Sequence, residues 1–310
     1  MHTFHKRRWL WLLPALAFQL TSQANPAIDR TPTAEQRTLV ASTRHAAKSH
    51  GARLNSSRPD VRSSAVLVFD ESDGSVVYSR RADQVVPIAS ITKLMTALVV
   101  LDAQQPLDEV LQITRDDRDT EHGSTSRLGF GTKLTRGDLL HLALMSSENR
   151  AAHALGRNYP GGAKEFIRTM NIKAKSLDMM NTRFADPTGL SSLNVSSASD
   201  LAKLVIAASR DPDIRRFSTD ERYTVKVGKQ LIQFRNTNSL VSKPNWDITV
   251  QKTGYTADAG RCLVMKSTIK DRPVVMVLLN SAGKYTRVAD ASRIRKWMEA
   301  NSPTRLANNR

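Results

Sequence analysis

Strand-like stretches stand at both ends of this chain, and helical ones fill the middle. Near the start, Ala65-Val66-Leu67-Val68-Phe69 and Ser75-Val76-Val77-Tyr78 flank Asp70-Glu71-Ser72-Asp73-Gly74, a hairpin with turn chemistry in its loop. Apolar residues then recur at helical spacing over 90–103, 134–145, 151–155, 166–180 and 198–209, where Asp211-Pro212 is read as a stop. The last third returns to strands: 223–227 and 230–234 across Gly228-Lys229, then 248–254, then 261–269 and 273–279 across Lys270-Asp271-Arg272. A helix over 291–300 follows, and no internal repeat is visible. This order predicts one α+β unit whose two ends meet in a single antiparallel sheet beside a helical subdomain. The charges of Arg115-Asp116-Asp117-Arg118-Asp119 alternate and are predicted to lie in a solvated loop. Gly129-Phe130-Gly131 lacks the third glycine of a phosphate loop, Leu134 standing in its place.

Residues 1–24 read as an export signal. Lys6, Arg7 and Arg8 lead an apolar run over 9–20, and Ser22-Gln23-Ala24 offers a small-residue cleavage site. The run is shorter than the ~20 residues that span a bilayer. A cleaved signal and a periplasmic protein are therefore expected, with an uncleaved anchor as the alternative. Residues 25–61 carry Pro26, Pro32 and Pro59, sustain no apolar period and read as a basic flexible leader. The folded domain is placed at 62–300, and 301–310 form a polar tail. The formal charge is +17, falling to +14 when Lys6, Arg7 and Arg8 leave with the signal. Such a charge suits an anionic wall or membrane surface. Export, the absence of zinc-finger spacing and aromatics at 5% argue against nucleic acid. The one cysteine, Cys262, lies beside Leu263, Val264 and Met265 and reads as buried and inert. No two of the seven histidines have His-x-x-x-His spacing on a helix, so neither a catalytic metal nor a cofactor is expected, and His153 reads as structural.

Three short motifs carry chemistry. In Pro87-Ile88-Ala89-Ser90-Ile91-Thr92-Lys93, a serine stands three residues before a lysine at the start of an apolar helix. Residues three apart share a helix face, so Ser90 and Lys93 can touch. The unpaired N–H groups of the helix start favour an anion forming at the serine. This arrangement suits a hydroxyl that attacks a carbonyl, with an amine to take its proton. Ser-x-x-Lys recurs at Ser267–Lys270 and Ser281–Lys284, but neither opens an apolar helix. Ser147-Glu148-Asn149 occupies a polar break between two helices, and Lys252-Thr253-Gly254 ends a strand. Taken singly, these read as a helix cap, a turn residue and a strand-edge charge. Their joint order and context match the motif set of penicillin-binding proteins and class A β-lactamases.

Over about residues 62–300 the chain resembles the low-molecular-weight penicillin-binding proteins. Within them it is most similar to the small D-alanyl-D-alanine endopeptidases of the penicillin-binding protein 7 type, a group of serine peptidases. The resemblance is carried by 87–98, 146–152, Asp186-Pro187-Thr188-Gly189-Leu190, Asn236-Thr237-Asn238-Ser239-Leu240 and Gln251-Lys252-Thr253-Gly254-Tyr255-Thr256. It implies a β-lactamase/transpeptidase-like fold, with peptidoglycan stem peptides as substrates and β-lactams as covalent inhibitors. Two-domain carboxypeptidase relatives carry a further β-rich region and an amphipathic tail; neither is expected in a chain with a short polar tail to Arg310.

The expected roles are these. Ser90 is the nucleophile, forming an acyl-enzyme with a D-alanyl carbonyl. Lys93 is the base, which requires it neutral; bringing a lysine from ~10.4 to ~7.5 takes roughly 4 kcal/mol of differential interaction. Burial and a nearby Lys252, itself remaining charged, are expected to supply that shift. Lys252 also attracts a substrate carboxylate, Ser147 relays a proton to the leaving amine, and Asn149 holds a substrate amide. The resemblance implies an oxyanion hole from the N–H groups of Ser90 and Tyr255. Thr253 and Thr256, with Gly254 between them, face the terminal carboxylate region. Arg261 either meets that carboxylate or stabilises its loop. A serine β-lactamase is the sibling reading. Class A enzymes use a Glu-x-x-x-Asn, which Glu148, Glu165 and Glu221 all fail to complete, so slow penicillin release is expected. Two more readings stay open: a terminal carboxypeptidase, and a non-enzymatic basic scaffold that binds the wall.

Overall fold

In the computed structural model, residues 58–119 and 125–301 are described. The predicted export signal, most of the leader and the tail beyond Asn301 lie outside the described residues. In chain order the elements are β1 (Ala65–Asp70), β2 (Ser75–Arg80), β3 (Val86–Pro87), a 3₁₀ turn (Ala89–Ile91) and α1 (Thr92–Asp102). Next come β4 (Val110–Gln112), a second 3₁₀ turn (Arg115–Asp117), β5 (Lys133–Thr135), α2 (Arg136–Met145), α3 (Asn149–Arg157) and α4 (Gly162–Ser176). Then follow β6 (Val195–Ser196), α5 (Ala198–Ala208), α6 (Pro212–Thr219), β7 (Arg222–Val227) and β8 (Gln230–Arg235). Three long strands, β9 (Asp247–Thr256), β10 (Gly260–Ile269) and β11 (Arg272–Ser281), precede α7 (Thr286–Asn301).

The main sheet has the order β2-β1-β11-β10-β9 and is antiparallel throughout. Ala65 pairs with Leu279, so the first strand lies against the last and the two ends of the domain close one sheet, as the sequence predicts. Alternation along each strand sorts apolar side chains onto two faces. Leu67, Val264, Val275 and Val277 face the helical subdomain, whose core includes Leu94, Leu98, Leu144, Leu155, Leu201 and Val205. Val66, Val68, Leu263, Met265 and Met276 face the other way and pack under Ala291, Ile294 and Met298 of α7. Asp290 of α7 accepts hydrogen bonds from the backbone N–H of Arg62 (3.0 Å) and Ser63 (2.7 Å), joining the segment before β1 to α7.

Four details differ from expectation. Val61 is buried in the α7-side core, so the fold includes at least the end of the stretch read as flexible leader. Asp211-Pro212 ends one helix but starts another. The Asp211 carboxylate accepts from the N–H of Asp213 and Ile214, and Pro212 sits in the first turn, where no N–H is missed. Asp117 is not solvated: it is buried, closes a capping box with Thr114 and is paired with Arg157 and His153. Finally, α4 starts and ends earlier than predicted and α7 starts earlier, because element ends depend on caps that periodicity does not show.

Candidate active site

Ser90 lies in the 3₁₀ turn that leads into α1, after Ala89 in a left-handed conformation (φ 48°). Such a φ is strained for a residue with a Cβ and persists only where the surroundings enforce it. Lys93, in the first turn of α1, is fully buried. Its Nζ lies 2.8 Å from Ser90 Oγ, 2.7 Å from Asn149 Oδ1 and 2.6 Å from the Thr188 carbonyl oxygen. A neutral amine has two N–H groups and one lone pair. The Asn149 and Thr188 oxygens accept the two N–H groups, which leaves the lone pair for the Ser90 hydroxyl. Burial pushes Lys93 down to about 7, against the upward pull of Asp186, Glu148 and Asp119.

The Thr188 carbonyl is held in place by Asp186. Its carboxylate accepts from the N–H of Thr188 (2.6 Å), Gly189 (2.8 Å) and Ser191 (3.0 Å), and from the Asn194 side chain. Thr96 on α1 donates to the Pro187 carbonyl at 2.6 Å, docking this loop onto the helix that carries Lys93. Gly189 has φ 81°, and a Cβ there would fall on the Ala89 carbonyl. The loop was legible as a turn, but its hold on the lysine was not.

On the other side, β9 runs against the Ser90 turn. A Cβ on Gly254 would lie 2.9 Å from the Ile88 carbonyl oxygen and 3.1 Å from the Ser90 nitrogen, so only glycine allows the strand this close. Lys252 is fully buried and donates to the Thr253 carbonyl at 2.8 Å. The expectation that Lys252 stays charged and depresses Lys93 is corrected. Burial foremost, then the charges of Lys93 and Arg287, push Lys252 well below the ordinary lysine range, and among the described residues no carboxylate offsets them. Lys93 is held down by burial itself. Thr253 Oγ1 lies 2.6 Å from Thr237 Oγ1, and the Thr237 N–H donates to Met145 at the end of α2, joining β9 to the segment before Ser147. Thr256 Oγ1 accepts from the Ala259 N–H and shapes the β9–β10 turn. Tyr255 is exposed, with the Arg261 guanidinium 4.2 Å from its ring centre.

Asn149 is the first residue of α3 rather than part of the break before it. Ser147 sits in the break with φ 62°, and its hydroxyl has no hydrogen bond among the described residues. Two charged groups escaped the sequence reading. Glu148 is buried, hydrogen-bonded by Ser126 and close enough to act on Lys93; burial raises its carboxyl above the usual range. Arg287, at the start of α7, has Nε and Nη1 buried without hydrogen-bond partners among the described residues, and burial together with Arg261 disfavours its charge. No local pattern marks Arg287, because only the packing of α7 on β10 brings it near Lys252.

Comparison with known proteins gives a consistent answer. Residues 52–283 match a family described as D-alanyl-D-alanine carboxypeptidase. The chain is 49% identical to a D-alanyl-D-alanine endopeptidase of Pseudomonas aeruginosa over 80% of each chain. It is also 49% identical to one of Escherichia coli, over 80% of this chain and 81% of that one. Among solved structures it is similar to the Streptomyces K15 DD-transpeptidase, with a TM-score of 0.73 and 28% identity over 78% of this chain and 98% of that one.

Proposed function

Because the chain belongs to the D-alanyl-D-alanine carboxypeptidase family and is a serine D-Ala-D-Ala peptidase, we propose that Ser90 is its nucleophile and that cross-links between peptidoglycan stem peptides are its preferred substrate. The observation that carries this reading is the Ser90 Oγ–Lys93 Nζ distance of 2.8 Å, at an amine that burial brings down to about 7, so that a large share of it is neutral at physiological pH.

Lys93 takes the Ser90 proton as Oγ adds to the D-alanyl carbonyl. The resulting oxyanion rests on the N–H groups of Ser90 and Tyr255. Collapse expels the amine, which receives the proton from Lys93 through Ser147. Water, deprotonated by Lys93, then attacks the acyl ester, and Lys93 passes that proton to Ser90 Oγ as the free acid leaves. Asn149 bridges Lys93 and a donor amide. Lys252 and Arg287 receive the substrate carboxylate, whose charge restores theirs. Thr253, Gly254 and Thr256 shape this carboxylate end. Arg261, stacked on Tyr255, serves the rim of the site.

β-Lactams acylate the same serine and leave slowly. Fluorescent penicillin is expected to label the wild type and not Ser90→Ala; equal labelling of both overturns the assignment. The endopeptidase preference rests on the identity to the two endopeptidases, while the family description keeps carboxypeptidase activity as the second reading. Digestion of isolated cross-linked dimers beside monomeric pentapeptides separates them, with faster loss of the dimer expected. Peptidoglycan lies outside the cytoplasm, and the basic-apolar start at 1–24 supports a periplasmic site of action. The strongly positive net charge, +17 for the full sequence, remains large once the signal's Lys6, Arg7 and Arg8 are removed, and supports electrostatic association with an anionic wall or membrane surface.

A further inference from the structure

A cleft opens beside the site, and Asn149, Thr188, Asp117 and His153 are among the residues that line it. Asn149 and Thr188 are the two groups that hold Lys93, so the cleft reaches the amine's own partners. His153 stands one turn after Asn149 on α3, on the same helix face. Its Nδ1 lies 2.9 Å from Asp117 Oδ1, and about a third of its side chain is exposed.

A purely structural account of His153 would make it the counter-ion of a buried aspartate. Asp117 does not need one. Arg157 donates to both of its oxygens at 3.0 Å, and the Thr114 N–H donates at 2.8 Å. Those bonds, with the one to His153, hold the carboxyl below its usual range in spite of burial. What Asp117 does to His153 is orient it: with Nδ1 engaged, the ring's other nitrogen, Nε2, has no protein partner among the described residues. The ring is fixed by one nitrogen and lines the cleft, where the other nitrogen is free to meet a ligand.

The two ends of the site also differ. Lys252, Arg261 and Arg287 gather at the β9–α7 end, which suits the carboxylate of the leaving side. The acyl side of the substrate then extends past Asn149 into the cleft. We propose that His153, held by Asp117, is a specificity-determining residue for the acyl-donor stem peptide, its Nε2 hydrogen-bonding a polar group of the residue that precedes the scissile D-alanine. This rests on the acyl-enzyme reading above and extends it.

The test compares three acylating agents on wild type, His153→Ala and His153→Gln. They are benzylpenicillin, acetyl-D-alanyl-D-alanine, which lacks the preceding residue, and a pentapeptide stem. His153→Ala is expected to keep its rates with the first two within about twofold of wild type, which also reports a folded site. Its kcat/KM for the pentapeptide falls at least tenfold, mostly through KM, as for a lost ground-state contact. His153→Gln, which keeps a side-chain N–H, recovers part of the loss. An unchanged pentapeptide kcat/KM overturns the proposal, and so does an equal fall with all three agents, which marks a structural role. Wild type that no penicillin acylates overturns the acyl-enzyme reading as well, so the two failures are distinct.

Discussion

In the proposed mechanism Lys93 decides whether the site works at neutral pH. With its amine pushed down to about 7, the rate of penicillin acylation is expected to rise with pH through about 7 and then level off, falling about tenfold per unit on the acid side. A midpoint near 10 in stopped-flow labelling would show that burial does not neutralise the amine. The same shift has a sign for stability. Below 10.5 the unfolded chain protonates this lysine, while the native amine stays neutral down to about 7. The unfolded state binds more protons in that window, so this group makes stability rise with pH from about 7 to about 10.5. Lys252 acts in the same direction, being buried without a carboxylate. Lys252→Met, an apolar substitute of similar length, is therefore expected to stabilise the fold by about 1 kcal/mol, a rise of roughly 2–4 °C in Tm. Its acylation rate should fall by about a hundredfold or more, since the carboxylate end loses its cation. A fall in Tm by calorimetry would contradict the stability argument.

Each element contributes to the site mainly by how closely it approaches another. The end of β9 touches the Ser90 turn only because residue 254 lacks a Cβ. Gly254→Ala sets a methyl against backbone atoms that cannot swing away, so strand and turn must separate. Acylation is expected to drop about a hundredfold, a misplacement effect, with far less change in Tm than in rate. Retention of full labelling would show that the strand has slack. The loop from Asp186 to Asn194 works in the same way. It is neither helix nor strand, yet five hydrogen bonds to one carboxylate and the positive φ of Gly189 hold the Thr188 carbonyl on Lys93. Ser147 and Ala89, both at positive φ, mark where the backbone bends to bring short polar side chains between buried helices. Strain of this kind is kept because rigid neighbours on both sides over-determine it.

At the level of the molecule, the sheet is closed by strands from the two ends of the domain, and the site lies where its edge strand β9 meets the helical subdomain. The large positive charge acts over the whole surface and is screened by salt. Retention on isolated wall sacculi is therefore expected to weaken severalfold between about 0.05 and 0.5 M salt, with acylation by neutral substrates unchanged; salt-independent retention would point to specific contacts instead. Much of this architecture was legible from residue patterns. Strand-like apolar runs in 65–69, 261–269 and 273–279, helical spacing over 90–103 and 134–145, and Ser90-x-x-Lys93, Ser147-x-Asn149 and Lys252-Thr253-Gly254 all depend on neighbours within one or two turns. Local periodicity and backbone chemistry therefore determined the α+β order, the main strands and the contact between Ser90 and Lys93. Tertiary structure decided the rest: that burial depresses both Lys93 and Lys252, that Arg287 comes near Lys252, that Asp117 is buried and holds His153 at the wall of a cleft, and that Asp186 braces the Thr188 carbonyl on Lys93. The physical reason is range. Desolvation and charge coupling depend on distances between residues far apart in the chain, and those distances are set only when the helical subdomain packs on the sheet.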